Sequence, residues 1–497
     1  SGMDNVRNLT ASPMAGLAAD ELYDTRPLLQ QLQDALTNHG EGNPEFANLP
    51  RKFNIAIDGS RENSVHAEIN DIAFLPALRE GIFGFNVLVG GFFSGTRVAA
   101  AVPLDAWVLP TQVIELSLTI LRVYRDNGAR ASRQKSRLMW LLDEWGIPKF
   151  REAVAAQLTF SLATAVPEDE YRWERRDFVG VFPQKQPGLH CVGLHVPAGR
   201  LTAEDMYSLA RIAEIYGTGE LRLTVEQNVL VPHVPSDRLE ILPQEPLLQK
   251  FSLNPPPIQR GVVSCTGAKY CGFALIETKA RAVAIAAELD RTVDVPKPVR
   301  MHWTGCPNSC GQPQVADIGL MGAKARKDGK VVEGVNIYLG GKVGPDAHLG
   351  ECVAKAVPCD DLVPVLQDLL VRCFAGQPKP GITLVPPAVV VMPPTPHHEV
   401  APAPEAPVPT RQVLFGRSGK EVLWEGRLSL LELAEKAGLE APSDCRSGNC
   451  GTCKQRLTAG QVTYFQEPNA LSEEEQAAGF VLTCSSHPAT PTVQLDW

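Results

Sequence analysis

The chain of 497 residues carries 47 Lys and Arg against 56 Asp and Glu, a net charge of −9, which excludes the broadly basic surface that general nucleic-acid binding needs. Its 44% hydrophobic content is ample for sizeable cores, and its length points to three or four folding units. No apolar run reaches the roughly eighteen residues of a membrane span.

The first predicted element with a chemical face is the strand in N-L-P-R-K-F-N-I-A-I. Phe53, Ile55 and Ile57 alternate with Lys52, Asn54 and Ala56, so one face is apolar and the other offers an ammonium and an amide. A face of that kind can hold a small anion, and Arg51 should start on the side opposite Lys52. Further along, Met206, Leu209, Ala210 and Ala213 predict the apolar stripe of a helix that Gly217 ends, followed by a strand on which Leu221, Leu223 and Val225 alternate.

Twelve cysteines are spread unevenly, and eight fall into two iron–sulfur spacings. In mid-chain, Cys265 and Cys271 sit in S-C-T-G-A-K-Y-C-G, and Cys306 and Cys310 in H-W-T-G-C-P-N-S-C-G-Q. Glycine flanks the cysteines in both arms. A helix-like run from about residue 274 to residue 289 follows the first pair, and its N-terminus would place partial positive charge beside anionic thiolates. Four cysteines in two local pairs can hold a 4Fe-4S cluster. The remaining Cys191, Cys352, Cys359 and Cys373 need no redox role; Cys373 continues the helical spacing of Leu362, Val365, Leu366, Leu369 and Leu370. Unpaired thiols beside reduced clusters imply a reducing compartment, most simply the cytoplasm.

From about residue 377 to residue 410 the chain is proline-rich, with Pro386-Pro387, Pro393-Pro394 and Pro402-Ala403-Pro404. Such a stretch stays extended and semi-rigid, and a tether of this kind raises the effective concentration of what it carries to about the millimolar range. His397 and His398 within it read as polar spacers rather than metal ligands.

Residues 412–497 read as a small acidic domain with seven Lys and Arg against eleven Asp and Glu, a net of −4, which suits docking on a basic surface. Strands at 413–415 and 422–424 flank the turn Arg417-Ser418-Gly419-Lys420. Ser429 with Glu432 makes a capping box, Leu430, Leu431 and Leu433 supply apolar surface, and Gly438 is placed to end the helix. Cys445, Cys450 and Cys453 with a distant Cys484 give the plant-type spacing of a 2Fe-2S centre, in which one tight loop wraps the cluster and the fourth thiolate arrives from another element. The competing readings are a structural zinc site, which usually brings two C-x2-C or histidine arms where this segment has one, and a disulfide framework, which suits small secreted chains.

The mid-chain run G-C-P-N-S-C-G-Q-P-Q-V-A-D-I-G-L-M-G resembles the sirohaem-dependent nitrite and sulfite reductases, most closely the ferredoxin-nitrite reductases. Further blocks carry the same likeness from residue 1 to about residue 376: S-G-M-D-N-V-R-N, N-L-P-R-K-F-N, H-A-E-I-N-D-I-A-F, L-V-G-G-F-F-S and L-T-V-E-Q-N. The C-terminal part resembles the β-grasp ferredoxin domain. The resemblance implies that Cys265, Cys271, Cys306 and Cys310 hold a 4Fe-4S cluster, that Cys310 also bridges to the sirohaem iron, and that Arg7, Lys52 and Asn54 meet the substrate. It implies further that Arg51, Arg133, Lys135 and Arg137 meet the sirohaem carboxylates. Sulfite reductases of the family place a second lysine where this chain has Asn54, so the resemblance favours nitrite over sulfite.

The expected architecture is α+β: a first reductase domain at 1–165, a ferredoxin-like half-domain at 175–245, a second reductase domain at 250–376, the linker at 377–410 and the 2Fe-2S domain at 412–497. The family carries a further segment before the S-G-M-D-N motif, so the sequence reads as cropped at its N-terminal end. The expected activity is reduction of nitrite to ammonia, with sirohaem, a 4Fe-4S and a 2Fe-2S cluster as cofactors and a ferredoxin or ferredoxin reductase as electron source, in nitrate assimilation. Sulfite reduction, or electron transfer without catalysis, are the alternatives.

Overall fold

The computed structural model describes residues 4–497 apart from 96, 134, 167–175, 345–346, 388, 390, 392–409, 425, 427, 444–447, 449–450, 465–467 and 469. Two five-stranded sheets repeat one plan. In the first, the order is Val6–Thr10, Phe53–Ile57, Ile72–Arg79, Ile82–Val89 and Val102–Val108, with the first three strands parallel and the others antiparallel. In the second, the order is Val262–Ser264, Met301–Thr304, Ile318–Lys327, Lys330–Leu339 and Glu351–Pro358, with the same directions.

Each sheet buries one face under helices. Phe53, Ile55 and Ile57 lie at or near zero exposure against Leu28 and Leu32 of the helix Arg26–Thr37 and Leu116 and Ile120 of the helix Val113–Asn127. Burying a side chain of this size contributes on the order of 2 kcal/mol, so the apolar alternation holds the strand's register. Its other face is also covered at Ala56, which packs with Val65, Ala67 and Ala73. In the second sheet, Leu362, Val365, Leu366, Leu369 and Leu370 of the helix Leu362–Cys373 are buried, with Cys373 half-buried at the stripe's end.

Between the two lies a four-stranded sheet in the order Arg222–Leu223, Val229–Pro235, Leu189–Leu194 and Gly180–Pro183, backed by the helix Ala203–Tyr216. The buried stripe of that helix differs from the expected one. A capping box between Thr202 and Asp205 sets its phase, so Leu209, Ile212, Ala213 and Tyr216 point inward while Met206 and Ala210 face out. Gly217 ends the helix as expected. The expected strand through residue 225 shrinks to Arg222–Leu223, because it pairs only with Val229–Pro235 at the sheet's edge and turns back where Thr224 donates its backbone N–H to the Asn228 carbonyl.

The proline-rich run is not free from residue 377 onward. Gln377–Pro378 pairs with Val293–Asp294, Leu384 packs on the second core, and Val391 is buried there with its carbonyl accepting from Arg372. Proline fixes an extended backbone but leaves the intervening valines and leucines able to pack, which composition alone does not reveal. His397 and His398 lie outside the described residues.

The C-terminal sheet has the order Lys420–Trp424, Arg411–Phe415, Thr492–Leu495, Lys454–Ala459 and Phe480–Leu482. The hairpin pairs Phe415 with Lys420. Ser429 accepts from the Glu432 N–H while the Glu432 carboxylate accepts from Ser429, which starts the helix Leu430–Lys436, and Gly438 takes the left-handed conformation after it with φ +71°. Among the described residues no helix is long and apolar enough to cross a membrane.

Candidate active site

Both mid-chain cysteine arms leave the C-terminal ends of adjacent parallel strands. Val262–Ser264 runs into Cys265, and Met301–Thr304 runs through Gly305 into Cys306; Ser264 faces Trp303 in the register, and Cys265 donates its backbone N–H to the Trp303 carbonyl at 3.0 Å. Gly305 donates its N–H to the Cys265 sulfur at 3.1 Å, which stabilises a thiolate there. Gly267 sits at φ +75° with Thr278 Oγ1 only 2.5 Å from where a Cβ would stand, so the first arm's turn requires glycine.

The helix after this arm begins later than its sequence suggests, at Lys279 rather than near residue 274. The Glu277 carboxylate accepts from the N–H groups of Ala280 and Arg281, and Thr278 Oγ1 donates to the Cys265 carbonyl at 2.8 Å. Residues 266–278 are thereby drawn into the cysteine turn instead of the helix.

The four thiols converge closely enough to influence one another. Burial pushes the Cys306 thiol up to about 11, and Cys310, Cys265 and Cys271 push the same way. Burial also raises Cys310, opposed by the nearby Lys52 ammonium. Holding four thiolates together therefore needs cationic iron, and loading the site must release protons. Four cysteine thiols in two short arms are the donor type and number that a 4Fe-4S cluster takes. The donor set fits the cluster.

Of the four, Cys310 alone is exposed. The side of the first sheet that meets it is cationic. Lys52 is half-buried, and burial depresses its pKa, with Arg137, Arg7 and Arg51 pushing the same way against Cys310. Among the described residues Lys52 has no ion-pair partner. The parallel pairing of the first two strands slips between Val6 and Asn8, so the irregularity falls on Arg7, beside Phe53 and Asn54.

The four cations expected to meet sirohaem carboxylates each have a protein carboxylate as partner. Arg51 and Arg133 share Asp4, at 3.3 and 2.6 Å, and despite burial they hold its carboxyl below the usual value. Lys135 lies 3.4 Å from Glu432. The exposed pair of Arg133 is worth little and can give way to a cofactor carboxylate, whereas Lys135 reaches Glu432 of the C-terminal domain. Arg137 differs: it is buried, donates to both oxygens of Asp71 at 2.9 and 2.6 Å, and Asp71 in turn accepts from the Asn54 N–H at 2.9 Å. Arg137 and Asp71 are thus the brace behind the strand that presents Lys52 and Asn54. Sequence reasoning missed Asp4 and Asp71, which carry no signal beyond their place in S-G-M-D-N and I-N-D-I.

Burial pushes the Asp71 carboxyl above its usual range even with Arg137 opposing. Arg137→Ala should leave that carboxylate uncompensated and cost about 3–5 kcal/mol in urea unfolding at pH 8. A raised folded pKa places the penalty above it, so the deficit should shrink as pH falls; a pH-independent loss would refute the pairing as its source.

In the C-terminal domain, Cys453 and Cys484 are buried together with Leu431, Leu471 and Leu482. Hydrogen bonding with Cys484 draws the Cys453 thiol down to about 6, and Gly448 donates its N–H to the Cys484 sulfur at 3.3 Å. Cys445 and Cys450 lie outside the described residues.

Comparisons with known proteins agree with this arrangement. Residues 2–162 and 258–375 match the family described as nitrite and sulphite reductase 4Fe-4S domain, residues 182–247 the nitrite/sulfite reductase ferredoxin-like half domain, and residues 416–489 the 2Fe-2S iron-sulfur cluster binding domain. Ferredoxin–nitrite reductases are similar over 380 residues: that of Synechococcus elongatus at 64% identity and that of Leptolyngbya laminosa at 62%, each over 76% of this chain and 74% of the relative. The solved Mycobacterium tuberculosis NirA protein superposes with a TM-score of 0.69 at 30% identity, over 77% of this chain and 70% of that one. With cysteine arms, cationic strand and half-domain all inside the matched stretches, the chain belongs to the ferredoxin–nitrite reductases and carries a 2Fe-2S cluster binding domain at its C-terminal end.

Proposed function

We propose that the chain reduces nitrite to ammonia between Cys310 and the cationic face of the first sheet, using electrons that enter through its own 2Fe-2S domain. The observation that carries this reading is Lys52, a half-buried ammonium without an ion-pair partner among the described residues, near enough to Arg7 and Cys310 for the charge of each to act on it. Family membership brings sirohaem, a 4Fe-4S and a 2Fe-2S cluster. Bound, these groups supply one-electron carriers and an iron for the substrate, six electrons and eight protons taking nitrite to ammonium and two waters.

The chain's own residues bind and protonate. Lys52 and Arg7 neutralise the anion, and an uncompensated cation in a partly dry site attracts it more strongly than one in water. Burial, which depresses the pKa of Lys52, also makes its ammonium a readier proton donor than an exposed lysine. Asn54 adds a hydrogen-bond donor without a second charge, which suits a monoanion. Cys265, Cys271, Cys306 and Cys310 hold the 4Fe-4S cluster, and Cys445, Cys450, Cys453 and Cys484 the 2Fe-2S cluster. A free ferredoxin or a ferredoxin reductase re-reduces the latter, and a nitrate-reducing reaction supplies the substrate. The unpaired thiols at Cys191, Cys352, Cys359 and Cys373 favour a reducing compartment, the cytoplasm.

The test is the visible spectrum of the loaded chain followed by turnover with dithionite-reduced methyl viologen. Sirohaem bands and ammonium from nitrite are expected; ferredoxin features alone, or sulfite turned over faster than nitrite, would overturn the reading. Asn54→Lys should move the ratio of nitrite to sulfite turnover toward sulfite by roughly tenfold, equivalent to about 1.4 kcal/mol of differential binding.

A further inference from the structure

Among the described residues, polar contacts at Arg326 and at Lys135 join the C-terminal domain to the reductase. In the first, Arg326 donates to the Leu471 carbonyl at 3.0 Å. Leu471 belongs to the same buried cluster as Cys453 and Cys484, and its neighbour Ala470 donates its N–H to the Gly448 carbonyl. On the reductase side, Arg326 lies two residues along the strand Ile318–Lys327 from Lys324, on the same face, and Lys324 donates to the Leu275 carbonyl just beyond Cys271.

In the second contact, Lys135 lies 3.4 Å from Glu432, next to Leu431 of the same buried cluster. The Lys135 ammonium stands over the Trp140 ring, as does the Arg97 guanidinium. Gly95, just before, lies against Pro307 and Asn308, between Cys306 and Cys310. The first contact is thus linked through Lys324 to the segment after Cys271, and the second through Trp140 and the 95–97 turn to the segment between Cys306 and Cys310.

We propose that Arg326 and Lys135 form the docking seat of the fused domain, holding its cluster face against the two arms of the 4Fe-4S site. The occupant is residues 411–497 of the same chain, whose charge of −4 over 412–497 complements these cations. The seat rests on the reading that this domain delivers electrons: one electron leaves the reduced 2Fe-2S centre and enters the oxidised 4Fe-4S cluster, and a low-potential reductant restores the first. Two exposed polar contacts bind weakly by themselves, and the tether makes them sufficient by keeping the partner at high local concentration. A seat of that strength releases, so the domain can turn to meet its own reductant.

Two measurements on the full chain test this. Carbodiimide should join Lys135 to Glu432, with the cross-linked peptide seen by mass spectrometry and suppressed by high salt; its absence would overturn the Lys135 half of the seat. With all prosthetic groups bound, the 2Fe-2S centre is reduced anaerobically and its reoxidation by nitrite is followed by stopped-flow absorbance. Arg326→Glu should slow reoxidation at least tenfold while viologen-driven turnover is retained. A wild-type rate in Arg326→Glu, with the 2Fe-2S centre still reoxidised by nitrite, would overturn the seat and leave delivery standing. A wild-type 2Fe-2S centre that stays reduced beside nitrite, while viologen still drives turnover, would overturn delivery and the seat together.

Discussion

Cys310→Ser should make ammonium from nitrite at less than about a hundredth of the wild-type rate. The protein should also lose the visible bands of its tetrapyrrole and mid-chain cluster together, while keeping the 2Fe-2S features. The loss is specific because Cys310 differs from the three cysteines grouped with it. It alone is exposed, on the side that meets Lys52, and the Lys52 ammonium already favours its thiolate. A serine hydroxyl stays protonated where a thiol ionises and is a poor ligand for iron that selects sulfur. Cys373→Ser supplies the contrast: Cys373 lies at the end of a helical stripe on the second core, and its loss should leave turnover and spectrum unchanged. Undiminished ammonium production by Cys310→Ser with both groups in place would end the assignment of this sulfur to the shared position.

Local spacing made much of this site readable. Cys265 with Cys271, and Cys306 with Cys310, each lie within one turn-forming segment, so their mutual geometry is set by the few residues between them, and the alternation of Phe53, Ile55 and Ile57 announced which side of the strand would be buried in the core. The partners were not readable, because they come from far along the chain. Asp4 meets Arg133 across 129 positions, and Asp71 meets Arg137 across 66. Nothing in the run R-Q-K-S-R separates Arg137, which is buried in a brace, from Lys135, which reaches a different domain. Helix phase failed for a related reason. The apolar residues of 203–216 tolerate more than one stripe, and the Thr202–Asp205 box together with the packing of Tyr216 selects the one observed.

Lys52→Gln should lower kcat/KM for nitrite by about 100- to 1,000-fold, the usual worth of one preorganised electrostatic group in a partly dry site. Glutamine keeps the length and a donor but removes the charge. Since Lys52 has no ion-pair partner among the described residues, the substitution orphans no carboxylate. The fold should therefore be unharmed, and the pKa direction says more. A lysine held below its ordinary value destabilises the folded state while charged; that penalty is fully present below the depressed pKa and is relieved only as pH rises through it. At pH 7 the glutamine variant should accordingly unfold at the same or a higher temperature than the wild type. Activity should run the other way: the wild-type KM for nitrite climbs as alkaline pH removes the Lys52 charge, and the variant's KM, already high, stays flat across that range. A stable variant with wild-type kcat/KM would show that the anion is held elsewhere, and with it the reason for placing nitrite beside Cys310 would go.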